Sequence, residues 1–523
     1  MLIVLLILAP ILFILYYEMK YKKIRKQIKH TPGPPILPML GNAHQVGKSP
    51  NDILHSFFNW FYQYGNFSLW IGYLLNYVVT DIKDMEFVLT SQNLLAKSQI
   101  YDVLHPWLGD GLLTSHGKKW HTHRKMITPS FHFKILQDFH GVMSEKSTKF
   151  MEKLREVSKG EAIFDIQKEI HYLVLDIICD TAMGVSINAM ENPQSEFVSA
   201  MDFLCSNACL RMFHPLKIKL FTYKFYPEYK TYCKNLNTVK DFLYNVIDKR
   251  IELRQQEERN GSLKKSEDEF AKRKFAFLDN LLSTTIDGRP LTREELYEEV
   301  ATFMFTGQET ISAALSFASF LLSRHKDIQK KVLEEQELVM GGNMKGNATF
   351  QELSEMNYLN LVFKETLRLY PSAPVVGRIV NEDLHMNGKL IPAGSSILLF
   401  IMAMGYNEKI FPDPYRFQPE RFDITNRAPD SNPFEYVPFS AGLRNCIGQN
   451  FAKLEFKTVL SKLVRNFEIL PAQDELESKD GYTSIFFGPY RKERSPMHKY
   501  DPILSPALTL RSENGVHLRL RER

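Results

Sequence analysis

The chain has 523 residues, 44% of them apolar, and a formal net charge of +5 from 65 Lys and Arg against 60 Asp and Glu. That size and apolar content support a large core, and the near balance of charge argues against a nucleic-acid binder. Five cysteines, an odd number in a long chain, argue against a disulfide framework.

In chain order, Met1 to Tyr17 is almost wholly apolar and is followed by Lys20, Lys22, Lys23, Arg25, Lys26 and Lys29. The length approaches that of a membrane span, and no small-residue cleavage site precedes the basic cluster. Residues 1–19 therefore read as an uncleaved signal anchor, with the body on the cytosolic side by the positive-inside rule. The sequons at Asn66, Asn260 and Asn347 then never meet the glycosylation machinery. Residues 20–42 form a basic and proline-rich hinge, Thr31-Pro-Gly-Pro-Pro35 with Pro38 and Gly41, expected to act as a stiff spacer. Residues 43–523 carry no linker or internal repeat and read as one unit.

Within that body the pattern is mainly helical, with small β-sheets. Asn66–Trp70 and Tyr77–Thr80 are expected to pair as strands, and Ser396–Ile401 is a buried apolar run. Helical periodicity covers Val142–Val157, Ile166–Met183, Tyr232–Gln256, Thr292–Arg324, Asp327–Met340, Leu359–Tyr370 and Gln449–Phe467. Cys205 and Cys209, one helical turn apart, lack a metal-ligand pattern and read as core thiols. Glu257–Arg273 reads as a solvated loop. Residues 473–500 look like an insertion, carrying Ile485-Phe-Phe-Gly-Pro-Tyr490 as either an exposed aromatic cluster or a loose loop. Thr509–Arg511 and Val516–Leu520 flank Asn514-Gly515, a hairpin signal.

Four clusters carry chemistry. Trp120-His-Thr-His-Arg124 spans one helical turn, and an arginine there suits a carboxylate. Thr292 and Glu295 form a capping box for a helix that contains Thr306-Gly307-Gln308-Glu309-Thr310. A glycine, an acid and a threonine buried mid-helix suggest a local distortion kept for function. Phe303, Thr306, Thr310, Ala313, Ala314 and Phe317 share one face of it. Glu365 and Arg368 are spaced to pair on a helix, and Arg421 offers a second cation. Last comes Phe439-Ser-Ala-Gly442-Leu-Arg444-Asn-Cys446-Ile-Gly448, one cysteine in a glycine-flanked loop before a helix. A helix N-terminus and nearby positive charge lower a thiol's pKa, and a thiolate held on haem iron favours O–O cleavage.

The cysteine loop resembles that of the cytochromes P-450, and the other three clusters occur in that family's order from Trp120 to Gly448. The resemblance implies a single catalytic domain of that fold, with haem b as cofactor and Cys446 as the axial ligand of its iron. Phe439, Gly442 and Gly448 would shape the loop. Trp120, Arg124, Arg378 and Arg444 would hold the propionates, and Glu365, Arg368 and Arg421 would brace the fold. Thr310 would position dioxygen and its water, and Glu309 would relay protons. Phe303, Thr306, Val375, Val376 and Leu508 would line the substrate pocket.

Gly117-Lys-Lys-Trp120, Arg124-Lys-Met-Ile-Thr-Pro-Ser-Phe131-His132, Cys446-Ile-Gly-Gln-Asn-Phe451-Ala and Leu510-Arg-Ser-Glu-Asn-Gly515 are similar to the animal fatty-acid hydroxylase branch, family four. That implies an endoplasmic-reticulum monooxygenase acting on a fatty acid or related lipid with O2. Its electrons would come from NADPH through NADPH-cytochrome P-450 reductase, with cytochrome b5 as a second donor. Lys118, Lys119, Lys125, Lys453 and Lys457 would offer a docking face. Steroid or xenobiotic hydroxylation, a reductase-independent peroxide isomerase and a non-catalytic haem sensor are the alternatives. Thr306 stands where many of that branch carry a haem-esterifying glutamate, so non-covalent haem is expected. Gln308 and Ile311 also depart from the branch's common His and Thr.

Overall fold

A computed structural model describes residues 2–28, 31–192, 196–259, 277–426, 431–490 and 497–523. The main helices are α1 (Leu2–Gln27), α2 (Pro50–Tyr64), α3 (Gly117–Ile127), α4 (Phe133–Val157), α5 (Ile166–Ile178), α6 (Glu196–Met212), α7 (Tyr229–Arg259), α8 (Arg293–Arg324), α9 (Lys326–Met340), α10 (Asn357–Leu369) and α11 (Gln449–Asn466).

Helix α8 organises the rest. Its start is fixed by the predicted capping box: Glu295 N donates to Thr292 Oγ1 at 3.2 Å and Thr292 N to Glu295 Oε2 at 2.8 Å. From Leu296 to Arg324 almost every side chain is buried, as befits a helix apolar on all faces, and α5, α7, α9, α10 and α11 pack around it. The distortion expected near Gly307 is absent: α8 is helical throughout. The threonine hydroxyls bond back along it, Thr306 Oγ1 to Thr302 O and Thr310 Oγ1 to Thr306 O, both at 2.8 Å. Gly307 serves packing instead, since a Cβ there would come within 2.7 Å of Ile178 Cδ1 on α5.

The sheets are small and peripheral. Strands β1 (Phe67–Ile71), β2 (Leu74–Val79), β3 (Val376–Ile379) and β4 (Ser396–Leu399) form one sheet in the order β1-β2-β4-β3. The expected β1–β2 pair is antiparallel, and β2 runs parallel to β4. The Asn514-Gly515 hairpin is not formed. β5 (Phe467–Pro471) pairs with β8 (His517–Glu522), whereas β6 (Leu504–Ala507) pairs with β7 (Thr509–Ser512). Asn514 Oδ1 accepts from Ile503 N and Ser512 Oγ, both at 2.8 Å, so Asn-Gly marks a corner where the chain changes sheet.

Two other segments gain partners. The proline-rich segment is tied to the body: Ser68 N donates to Pro32 O at 2.8 Å, and Asn42 Nδ2 to Pro35 O at 2.9 Å. The run Ile485–Tyr490 is packed rather than exposed or loose: Ile485 and Phe487 are buried, and Phe487 stacks on Phe58 at 3.9 Å between ring centroids. Of Glu257–Arg273, α7 claims the first residues and 260–273, with the Asn260 sequon, lie outside the described residues. So do Met1 and most side chains of the apolar stretch in α1. Among the described residues no helix is long and apolar enough to cross a membrane.

Candidate active site

Cys446 follows a short 3₁₀ turn, Gly442–Arg444, and precedes α11. Its N–H donates to Phe439 O at 2.9 Å, which closes the loop. Gly442 is required there. It has φ +67°, and a Cβ would lie 2.1 Å from Leu89 O. The thiol opens into a cavity that encloses about 1360 Å³ of atom-free space, its mouth included. Burial pushes the Cys446 pKa up; the Gly448 N–H and Arg124 act in the opposite direction, as the sequence implied, but do not outweigh it.

Helix α8 forms one wall. Phe303, Thr306, Gly307, Thr310, Ile311 and Ala314 line the cavity, while Phe317 turns away to stack on Tyr370 at 4.6 Å. Phe439, Gly448 and Val376 line it as expected; Val375 and Leu508 do not. Glu309 also lies elsewhere, on the far side of α8, where its carboxylate accepts from Thr509 Oγ1 at 3.2 Å. Burial raises its pKa.

One end of the cavity is basic. Trp120, Arg124 and Arg444 line it, and Arg378 lies just behind. Arg444 sits over the Trp120 ring at 4.2 Å and donates to Leu95 O at 2.9 Å and Leu112 O at 3.2 Å. Arg124 donates to Asn445 O and Oδ1 at 2.9 and 2.7 Å, and Arg378 to Gly377 O at 3.0 Å. Lys97, which no sequence motif marks, joins them, its ammonium 5.0 Å from the Tyr101 ring centroid. None of these four cations pairs with a carboxylate among the described residues. Burial and mutual repulsion lower the pKa of Arg444 to about 9 and that of Lys97 well below its ordinary value.

Clustered, largely desolvated cations with no carboxylate partner among the described residues call for an anionic ligand, and a mainly apolar cavity beside a cysteine sulfur suits a metal-bearing macrocycle. Haem satisfies both demands at once: a ring for the cavity, an iron for Cys446 and two propionates for the basic end.

Other predicted residues settle into structural places. Glu365 is fully buried and receives Arg368 Nε and Nη2 at 2.7 and 2.8 Å and Arg421 Nε at 3.0 Å. Arg368 also donates to Pro414 O at 2.8 Å, so the buried charges are fully hydrogen-bonded. His123 pairs with Glu299 at 2.7 Å inside the protein, away from any ligand role. All five cysteines are free, Cys205 and Cys209 within the core. Of the docking lysines, Lys118, Lys125 and Lys453 are exposed, Lys119 pairs with Glu298 at 2.6 Å, and Lys457 is buried and drops out of that face.

A fold of this kind around a cysteine-facing haem slot defines a haem-thiolate monooxygenase. The cytochrome P450 family model matches residues 31–492, and the chain belongs to that family. It is similar to cytochrome P450 4e2 of Drosophila melanogaster, 54% identical over 522 residues with 98% of each chain covered. It is also similar to the probable cytochrome P450 4e1 of the same species, 53% identical over 98% of this chain and 97% of that one. A third relative is "cytochrome P450 4e5, mitochondrial" of Drosophila mettleri, 50% identical with 98% of each covered. The chain is thus a P450 monooxygenase of family four, with haem, a redox partner, O2 and a lipophilic substrate.

Proposed function

We propose that the enzyme hydroxylates a fatty acid or related lipid with electrons from NADPH, delivered by NADPH-cytochrome P-450 reductase. The observation that carries the substrate class is the distribution of charge around the cavity. Among the described residues Lys97, Arg124 and Arg444 are its only charged lining residues, all at one end, and the rest is mainly apolar with a few hydroxyl groups. Once haem carboxylates meet that end, what is left is a space for an apolar chain.

When bound, haem supplies the oxygen-activating iron, with Cys446 as its thiolate ligand. The chain's own residues do the rest. Lys97, Arg124, Arg378 and Arg444 meet the propionates, Trp120 orients Arg444, and Phe439, Gly442 and Gly448 hold the cysteine loop. Phe303, Val376 and Ile311 exclude water from the substrate. Thr310 offers a hydroxyl at the cavity wall, and Glu309 is the acid that supplies protons. Glu365, Arg368 and Arg421 brace the fold behind the loop. Thr306 has no carboxyl with which to form an ester, so the haem b is held non-covalently. Exposed Lys118, Lys125 and Lys453 form the docking face for the reductase or cytochrome b5.

Residues 1–19 serve as a single-pass anchor in the endoplasmic reticulum membrane, read from their apolar run and the basic cluster after it. The exposed apolar residues Leu37, Met39, Leu40, Leu216, Phe221 and Phe225 support the same membrane contact.

Product mapping over a panel of fatty acids, steroids and xenobiotics with purified reductase tests the reading. Lipid hydroxylation that requires NADPH and reductase is expected, and haem released from the same preparation by acidified organic solvent. Steroid products alone would move the substrate class, and haem retained by the protein would overturn the non-covalent assignment.

A further inference from the structure

Two cavities flank α8 at Glu309 and Thr310. The first holds Cys446. The second, between α5, α6 and β7, contains about 1270 Å³ of atom-free space, its mouth included, and is lined mostly by polar groups such as Lys168, His171, Asp202, Ser206 and Arg511. Glu309 lies behind this wall. A carboxylate oxygen of Glu309, one of Asp202 and a ring nitrogen of His171 all lie within 4.8 Å of one another, a gap that one water molecule spans. The charged and titratable neighbours of this group are His171 from α5, Asp202 and Cys205 from α6, and Arg511 from β7, with Thr509 donating to Glu309. Lys168, Asp165 and Glu513 stand farther out along the second cavity.

A histidine and two carboxylates also suit a metal ion. Here Arg511 already pairs with Asp202, and burial favours the uncharged form of Glu309. The Arg511 guanidinium therefore already balances one carboxylate and repels a cation. What remains is an imidazole, itself buried, that lines the second cavity beside a buried acid.

We propose that His171 returns protons to Glu309 from water entering the second cavity. The His171 imidazolium gives a ring N–H proton to the Glu309 carboxylate, leaving neutral imidazole and a carboxylic acid, and the imidazole takes its next proton, relayed by water in the second cavity, from hydronium or buffer acid in the bulk solvent. His171 acts through Glu309 and does not meet substrate or haem. Protons thus enter across α8 from the face opposite the substrate, and the apolar cavity needs no water path of its own. The inference rests on Glu309 being the acid of the monooxygenase reaction.

The test uses the full-length holoenzyme with reductase, NADPH and a lipid it oxidises. His171→Phe should keep the carbon monoxide spectrum of a thiolate haem while the fraction of NADPH converted to product falls. A fall of about tenfold is expected, smaller than the loss of a direct acid because water still reaches Glu309. Peroxide should rise in its place. Independently of turnover, the infrared band of the protonated carboxyl that is absent in Glu309→Gln should exchange with deuterium more slowly in His171→Phe. His171→Asn provides the same readouts if the Phe variant does not fold.

Unchanged coupling and exchange in a folded His171 variant would overturn the route. So would one equivalent of Zn²⁺ bound by the wild type and not by His171→Asn. If Glu309→Gln itself remains fully coupled, the acid assignment fails rather than His171.

Discussion

At Lys97 the fold holds a charge it does not use. Burial penalises its ammonium most, Arg378 and Arg444 repel it as well, and the Tyr101 ring is its nearest compensation. The folded pKa is lowered, so in the interval below the usual lysine range the unfolded chain binds the proton that the folded one has released. The haem-free fold therefore gains stability from this group as pH rises through that interval and bears the full cost below it. Arg444 acts in the same direction from about pH 9 upward. On the proposed reading, haem carboxylates would remove the cost by pairing. Lys97→Met keeps the volume and deletes the charge. It should raise the melting temperature of the haem-free protein at neutral pH and weaken haem retention. Calorimetry with and without haem reads both; a variant that destabilises the haem-free protein would show that Lys97 is not an uncompensated charge.

At the scale of elements, the segment after β5 shows how partners distant in sequence decide a structure. Phe487 stacks on Phe58 and meets the Tyr406 ring edge-on at 5.2 Å, and its N–H donates to Tyr415 Oη at 3.2 Å. Phe487→Ala should cost about 3–5 kcal/mol, the range for a buried aromatic whose site cannot collapse. A lower denaturant midpoint with unchanged slope would register it, and a loss under about 1 kcal/mol would mean the segment is a loose covering after all. The polar residues around Phe487 hid this role, because a short aromatic run inside them has no period to read. The Thr292 capping box and the Glu365–Arg368 spacing, which depend on neighbours within one turn, were legible, whereas the distortion expected at Gly307 was not formed. Lys97 and the side taken by Glu309 depend instead on which strands and helices arrive from hundreds of residues away. Asn514-Gly515 failed as a hairpin for the same reason, its donors and acceptors being claimed by Ile503, Ser512 and Asp501.

Across the whole molecule, apolar surface gathers at one end. Tyr17 and Tyr21 of α1 pack on Tyr73, with ring centroids 4.9 and 4.8 Å apart. The neighbouring Gly72 lies against Pro215 and Met39, close enough that a Cβ would stand 3.0 Å from the proline. The exposed side chains of Leu37, Met39 and Leu40 therefore adjoin those of Leu216, Phe221 and Phe225. Phe221 and Phe225 are 74% and 80% exposed, far more than a solvated fold needs, and exposed Lys22, Lys26 and Lys224 lie near the same end. This is the composition of a surface that enters an anionic bilayer. If it does, membrane binding outlasts the loss of the apolar N-terminus. A chain lacking residues 2–15 should still sediment with anionic phospholipid vesicles. Adding Phe221→Asp and Phe225→Asp should then lower its partition by more than about a hundredfold, since each buried phenylalanine contributes roughly 1.5–3 kcal/mol. If the shortened chain stays in solution, or the double variant binds as well as its parent, the N-terminal segment is the sole attachment and this end faces water.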